Sequence, residues 1–254
     1  MYPIIHLSQL QIYTFNICVI VAVIVAILLF IHNSKYKMKP TVQDECVALF
    51  GADIPFVIMG AILHNKIVYA DSFQEFIDLL HKDTGIAFLG GFIGGFIGFI
   101  ILFQFMLKGK IKMKVVMDLI APSIMIGHAI GRIGCLMGGC CFGRPFSWGI
   151  CYEEGTPAYQ MYGEQKLFPS QILEALALCV LFMCTYKMKK NQAIVYLISY
   201  SILRFLLEFM RGDYRGIERW TLSPAQIIAL SVFGVSLCWV CISRLVIKEK
   251  DSVI

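Results

Sequence analysis

The chain has 254 residues, of which 58% are apolar and 15% are charged, and its mean hydropathy is +0.74. A soluble domain carries about 25% charged residues, so this composition excludes an ordinary globular protein and a disordered chain. The net charge of +5 comes from 22 basic and 17 acidic residues, and the basic ones form short clusters between apolar blocks. Clusters of this kind orient membrane helices, and we expect no nucleic-acid partner.

Apolar blocks of about twenty residues recur along the chain, the length that crosses a hydrocarbon core of about 30 Å. They predict an all-α polytopic membrane protein in which one transmembrane domain covers residues 1–254. Because no basic residue precedes the first block, we expect it to stay as a membrane helix. The seven predicted transmembrane helices lie near residues 12–32, 47–63, 86–107, 115–133, 170–186, 193–210 and 223–243.

The direction of the helices follows from the lysines, which cluster after spans one, three, five and seven. The positive-inside rule then predicts an N-terminus outside and a C-terminus in the cytoplasm. Three segments are expected on the outer side, near residues 64–85, 134–169 and 211–222. The first contains a capping box, Ser72 to Glu75, which predicts a short helix lying in the membrane interface or packed on the protein.

The third predicted span is rich in glycine and includes the pairs Gly90–Gly91 and Gly94–Gly95. Glycines at this spacing let neighbouring helices approach closely, or let the backbone come near a ligand. Both interpretations stay open on the sequence alone.

Ionisable residues inside a span are costly unless they are paired or face a polar cavity, and four positions meet this description: Asp118, Glu174, Arg204 and Glu208. Arg204, Glu208 and Arg211 share one face of span six at i, i+4 and i+7. The pattern predicts either a pair that only locks the helices together or a cationic binding site. We favour the binding site, because a buried pair adds little stability over apolar packing.

The end of span four is denser in polar groups. His128, Arg132 and Cys135 fall on one helical stripe that runs into the glycine-rich segment 136–145. Glycines at this density can present backbone N–H groups to an anion, and Arg132 and Arg144 add guanidinium groups that match phosphate oxygens. A phospholipid headgroup is the natural anion at the outer boundary of the membrane.

Four of the ten cysteines lie together in the outer segment after span four: Cys135, Cys140, Cys141 and Cys151. Their spacing matches no zinc pattern of paired cysteines, and we expect no metal or cofactor. A structural disulfide, Cys135–Cys140 or Cys141–Cys151, is favoured on the outer side of a membrane. Thiol redox chemistry or metal binding is the alternative.

Four segments resemble the prolipoprotein diacylglyceryl transferase family of bacteria. Residues 131–144 resemble its signature GRxGNFxNGExxGR, and residues 169–174 are similar to its HPxQLYE segment. Residues 204–211 match its RFxxEFxR segment, and residues 222–226 resemble its LSxxQ stretch. The resemblance covers nearly the whole chain and agrees with seven spans and an outside N-terminus.

The resemblance implies a reaction in which a lipoprotein precursor's cysteine thiol attacks the glyceryl carbon of phosphatidylglycerol. Glycerol phosphate leaves, at the outer face of the bacterial cytoplasmic membrane. Cations must stabilise the leaving phosphate, and a base helps to form the thiolate. The residues expected to act in catalysis are His128, Arg132, Arg204 and Glu208. Those expected to bind the phospholipid are Gly134, Gly143, Arg144, Glu174, Arg211, Gly90 and Gly91.

The chain departs from the family at polar positions. Leu89 stands where the family has a catalytic histidine before the paired glycines, and Cys135, Gly138 and Cys140 replace two asparagines and a glutamate. His128 is therefore expected to supply the base; alternatively, no protein base is needed and His128 only bonds a neighbouring helix. The alternatives for the whole protein are a paralogue with another surface acceptor, and a non-catalytic lipid-binding or thiol-redox protein.

Overall fold

A computed structural model describes residues 3–7, 10–69, 72–80, 88–213 and 222–251. In this part of the chain, seven long helices overlap the seven predicted spans, and two short helices lie between them. The helices are α1 (Thr14–Ser34), α2 (Pro40–Tyr69), α3 (Phe73–Leu80), α4 (Phe88–Met106), α5 (Met113–Met137), α6 (Pro157–Tyr162), α7 (Ser170–Tyr186), α8 (Gln192–Glu208) and α9 (Pro224–Asp251).

Four helices in the described residues are long and apolar enough to cross a membrane: Thr14–Ser34, Pro40–His64, Met113–Met137 and Pro224–Ser243. Two shorter apolar helices cover Gly90–Met106 and Ser170–Tyr186. The chain is therefore an integral membrane protein built mainly of helices, as predicted. The total of seven spans and the direction of the termini stay predictions.

Three short strands in the described part of the chain were not expected from the sequence. The strands β1 (Ile4–Leu7) and β2 (Leu10–Tyr13) pair antiparallel with Ile4 opposite Tyr13, and β3 covers Pro145–Ile150. The two strands pair their backbone polar groups with each other, so this segment needs no helix. Thr14 extends the hairpin into α1, because its backbone N–H and hydroxyl both donate to the carbonyl of Pro3 at 3.1 Å.

The short helix α3 begins where the capping box predicted a helix. The backbone N–H of Glu75 donates to Ser72 Oγ at 3.2 Å, which satisfies one of the unpaired donors at the helix start. The Phe73 side chain is 78% exposed. Whether this helix lies in the membrane interface stays a prediction.

The chain forms two compact units, residues 1–30 with 117–254 and residues 31–116. In the unit of residues 31–116, α2 and α4 approach through glycine. A Cβ at Gly60 would collide with the Gly90 carbonyl oxygen and lie 2.8 Å from Gly94 Cα. A single transmembrane domain over the whole chain stays a prediction.

In the other unit, α1 contacts α5 at Gly127 and Gly134, and α8 contacts both α7 and α9. An apolar cluster of Ala129, Ala175 and Leu178 joins α5 to α7, with Tyr196 and Tyr200 of α8 packed against it. Asp118 fixes the start of α8, because its carboxylate accepts from the backbone N–H groups of Asn191 at 2.9 Å and Ala193 at 3.0 Å. This capping gives the intramembrane Asp118 a structural role.

Candidate active site

Arg132 of α5 is held by an acidic partner from α7. Its Nη2 lies 3.0 Å from Glu174 Oε1, and the side chains are 11% and 2% exposed. The hydroxyl of Tyr200 on α8 donates to the same carboxylate oxygen at 2.7 Å. Three helices thus meet at one buried carboxylate, which balances the charge of Arg132 and fixes the direction of its guanidinium group.

His128 lies one helical turn before Arg132, as the predicted stripe requires. Arg132 Nε donates to His128 Nε2 at 3.3 Å, so a neutral ring carries its proton on Nδ1, which lies 3.3 Å from Tyr196 Oη. The ring also packs edge-on against Tyr200 with centroids 4.8 Å apart. Because Arg132 engages the Nε2 lone pair, this geometry favours the alternative in which His128 only bonds its neighbours.

Arg204, Glu208 and Arg211 form the charged face predicted for span six. Arg204 Nη2 lies 2.7 Å from Glu208 Oε2, and Arg211 Nε lies 3.8 Å from the same oxygen. Arg204 Nη1 is buried and has no hydrogen-bond partner in the part of the chain that the structure describes. Arg204 follows Tyr200 by one helical turn, and the Tyr200 ring packs on His128, so Arg204 lies on the face of α8 that meets this histidine. A cavity that Arg204 shares with the α5 arginine stays a prediction.

Gly143 and Arg144 lie against the chain that follows α8. Gly143 pairs with Arg211 in a β-bridge, the Arg144 N–H donates to Met210 O at 3.0 Å, and Arg144 Nε donates to Arg211 O at 3.3 Å. A Cβ at Gly143 would lie 2.6 Å from Phe168 O, so only glycine fits there. Two segments distant in sequence thereby place Arg144 and Arg211 side by side.

Arg211 itself is 6% exposed and bonds Asp213, with Arg211 Nε 2.8 Å from Oδ1. Burial lowers the pKa of Arg211, but its interactions with Asp213 and Cys141 together outweigh burial and raise that pKa above its ordinary value. Arg211 is therefore a fixed cation at the end of the charged face.

The glycine-rich loop after α5 is tied to the start of α7. Ser170 Oγ donates to Cys141 O at 2.7 Å, and Gln171 Nε2 donates to Cys140 O at 2.6 Å. Gln171 also bonds the Tyr152 hydroxyl, whose pKa burial raises to about 12. These bonds join two of the segments on which the resemblance rests and hold the loop in one conformation.

The predicted group of four cysteines has three members in the structure. The sulfur atoms of Cys135, Cys140 and Cys141 lie within 4.8 Å of one another. Cys151 is not one of them: it is exposed, and its thiol points to the carbonyl oxygen of Glu164 at 3.4 Å. None of these four forms a disulfide in the structure, which does not support the expected pairing. Contact with Cys135 and Cys141, together with burial, raises the pKa of Cys140.

The family model of prolipoprotein diacylglyceryl transferase matches residues 3–242 of this chain. The chain belongs to this family. The phosphatidylglycerol–prolipoprotein diacylglyceryl transferase 2 of Clostridium perfringens (strain 13 / Type A) is 32% identical over 241 residues, covering 88% of each chain. The transferase of Clostridium tetani is 29% identical over 242 residues, covering 89% of this chain and 90% of its own length. The predicted family and the predicted class of enzyme, a diacylglyceryl transferase, are confirmed.

Three glycines that we expected to bind substrate in this transferase lie at helix contacts. A Cβ at Gly134 would lie 2.8 Å from Cys18 Cβ of α1, and one at Gly91 would lie 3.4 Å from Ala61 Cβ of α2. A Cβ at Gly90 would collide with the Gly60 carbonyl oxygen and with His64 Cβ. These contacts favour the helix-packing interpretation of the glycines.

His64 is a residue that our sequence analysis missed. His64 lies in α2 and contacts Gly90 of α4. Gly90 directly follows Leu89, the residue that stands where the family pattern has a histidine. The Nδ1 atom of His64 is buried without a hydrogen-bond partner in the described residues. The sequence shows only a histidine at the end of an apolar block, so nothing local pointed to it.

Tyr196, Tyr200 and Gln171 were also missed. The two tyrosines precede Arg204 by eight and four residues on α8, so helical periodicity could have placed them on its face. Gln171 stands in a matched segment, but its contact with the cysteine loop depends on the tertiary fold.

Proposed function

We propose that the chain transfers a diacylglyceryl group from phosphatidylglycerol to the cysteine thiol of a lipoprotein precursor. Family membership and the names of the relatives support these substrates. The observation that carries the proposal is the pair of largely buried arginines, Arg132 against His128 and Arg204 on the α8 face that packs on the same ring. Within the described residues, Arg204 Nη1 has no hydrogen-bond partner. A buried guanidinium N–H without a partner is suited to a phosphate oxygen.

The arginines act on the leaving group. As the thiolate sulfur bonds to the glyceryl carbon, the carbon–oxygen bond breaks and its electron pair stays on the phosphate oxygen. Arg132 and Arg204 would stabilise that charge, and Glu174, Tyr200 and Glu208 would hold them in position before the reaction. Arg211 and Arg144 would bind the outer part of the headgroup, and Gly143 lets their two segments meet.

The proposed location is the bacterial cytoplasmic membrane, with seven spans and the active site towards the outer face. The lysine clusters after spans one, three, five and seven support this direction. Reporter fusions at residues 37, 110, 188 and 250 should all report the cytoplasm. A fusion at residue 155 should report the outer side.

Purified protein with labelled phosphatidylglycerol and a cysteine-containing lipobox peptide tests the reaction. We expect a thioether-linked diacylglyceryl peptide and release of glycerol phosphate, with no product from the same peptide carrying serine. Glycerol phosphate released without lipid on the peptide would favour another acceptor. Phospholipid binding without release would favour a non-catalytic lipid-binding protein, and either result would overturn the proposal.

A further inference from the structure

The end of α5 brings two cysteines together by a helix-capping motif. The N–H of Cys140 donates to the carbonyl of Cys135 at 3.1 Å, and the N–H of Gly139 donates to the carbonyl of Leu136 at 3.2 Å. With Gly139 at φ +65°, these bonds form a Schellman motif, which normally places an apolar contact between the positions held here by Cys135 and Cys140. Two thiols take the place of that contact.

A third thiol joins them through an unusual backbone conformation. Cys141 has φ +61°, a left-handed conformation that costs a non-glycine residue about 1–2 kcal/mol. Ser170 and Gln171 bind the carbonyl groups of Cys141 and Cys140, so the turn is held from α7. The surrounding structure therefore maintains a backbone conformation in which the three sulfur atoms lie within 4.8 Å of one another.

The spacing of these sulfur atoms suits a metal ion. Tetrahedral zinc has Zn–S bonds of about 2.3 Å, which puts its sulfur ligands about 3.8 Å apart. The three sulfur atoms already lie within 4.8 Å of one another. Side-chain rotations that move them by about 1 Å would bring them to the spacing that zinc requires. Cys135 and Cys140 are only partly buried, so a fourth ligand would approach the sulfur atoms from the side of these two residues.

We propose that Cys135, Cys140 and Cys141 bind a zinc ion whose fourth position takes the thiolate of the acceptor cysteine. Three thiolates and Zn²⁺ carry a net charge of −1, and Arg132 and Arg211 both interact with Cys141. Their guanidinium groups would balance this charge. Three protein ligands with one open position are typical of zinc sites that take part in reactions.

The zinc site would add a mechanism to the proposed function. The identity of the acceptor cysteine rests on that proposed function. Binding at zinc releases the thiol proton to water and leaves the sulfur as a thiolate. That sulfur bonds to the glyceryl carbon, and the carbon–oxygen electron pair departs with the phosphate. A thiol with a pKa near 8.5 is about 3% thiolate at pH 7, so coordination raises the reactive fraction about 30-fold. Because zinc would already hold the acceptor sulfur as a thiolate, the reaction would not need a histidine base at the position of Leu89.

Cobalt provides a readout of the site that is independent of transfer. The reduced, metal-stripped protein is titrated with Co²⁺ without oxygen, and thiolate-to-cobalt charge-transfer bands are recorded. We expect one Co²⁺ per chain, displaced by Zn²⁺, and loss of the bands in Cys135→Ser and Cys140→Ser. Cys184→Ser, which removes an exposed thiol from α7, should keep them.

The variant Cys141→Gly separates loss of metal binding from loss of folding. It removes the third thiol and also relieves the left-handed conformation, so it should unfold at or above the temperature of Cys135→Ser. A folded Cys141→Gly protein that still gives the full cobalt bands would overturn the site. Alkylation without reductant that finds Cys135 bonded to Cys140, in protein devoid of zinc, would overturn it as well.

A second experiment adds the lipobox peptide to the cobalt-loaded protein. A change in the charge-transfer bands with the cysteine peptide and none with the serine peptide supports the acceptor thiolate as the fourth ligand. No change with either peptide overturns that assignment.

Metal removal should lower the rate of diacylglyceryl transfer about 30-fold, and added Zn²⁺ should restore that rate. Full transfer by metal-free protein would overturn the zinc site and leave the proposed function standing. Cobalt bands that respond to the peptide without any transfer would support the site and overturn the proposed function.

Discussion

Two regions of this transferase bring membrane helices together by opposite means. In the unit of residues 1–30 and 117–254, α5, α7 and α8 meet through charges, with Glu174 bound to Arg132 and to Tyr200. In the unit of residues 31–116, α2 and α4 meet through backbone, because Gly60, Gly90 and Gly94 carry no side chain. The first region keeps the family's charged motifs, whereas the second lacks the family's histidine.

The two regions should tolerate substitutions differently. Lipid supplies no water to solvate an unpaired charge, so each member of the charged network needs its partner. The glycine contact depends only on shape and dispersion, and any added atom acts as an obstacle. The charged region should therefore respond to a change of one functional group, and the glycine region to a change of volume.

The largest expected effect is that of Glu174→Gln. This variant leaves the Arg132 guanidinium buried without its counter-charge, and breaking one side of a buried pair costs about 3–5 kcal/mol. Denaturation in detergent micelles measures the loss. Glu45→Gln, at the exposed pair with Lys110, is the matched control and should change stability by about 1 kcal/mol or less. Equal losses in the two variants would contradict the role of the network.

Arg132→Lys should lower transfer by about 10²–10³-fold, the usual result of removing one donor to a developing oxyanion. An ammonium group cannot reach both Glu174 and a phosphate oxygen with the geometry of a guanidinium fork. Phospholipid binding should weaken as well. Lys110→Arg, a change at an exposed cation, is the control, and an Arg132→Lys rate within a few fold of wild type would exclude Arg132 from catalysis.

Gly60→Ala tests the glycine region. The added methyl group would collide with the Gly90 carbonyl and approach Gly94 Cα, and overpacking of this kind costs about 1–3 kcal/mol. Gly51→Ala lies on the same helix and meets nothing within 4 Å among the described residues, so it should be neutral or slightly stabilising. Thermal unfolding compares the two, and a neutral Gly60→Ala would show that α2 and α4 are not closely packed in the membrane.

The smallest expected effect is that of His128→Gln. Glutamine can still accept from Arg132 Nε, so we expect transfer to fall by less than about tenfold, the range of one hydrogen bond. Loss of a general base would instead cost about 10²–10⁴-fold. Steady-state rates of His128→Gln and His64→Gln, measured side by side, separate these possibilities. A loss above about 100-fold in His128→Gln would restore the original assignment of His128 as the base.

The amino-acid sequence was sufficient to predict features that depend on interactions between residues close together in the chain. Helical periodicity aligned Arg204, Glu208 and Arg211 on one face, and the capping box placed α3, because both depend on residues within about two turns. The apolar blocks predicted the long helices for the same reason. The hairpin before α1 was missed, since four-residue strands are too short for a clear periodic pattern.

Which of these residues come into contact depends on the tertiary structure. Tyr200 and Glu174 are 26 positions apart, and His64 meets Gly90 across two helices, so no local pattern specifies either contact. The same holds for Cys141, whose left-handed backbone brings it to Cys135 and Cys140, while Cys151 lies apart. A hydrophobic pattern determines which segments enter the membrane, but the lateral packing of helices depends on side-chain shape and on charges that must find partners.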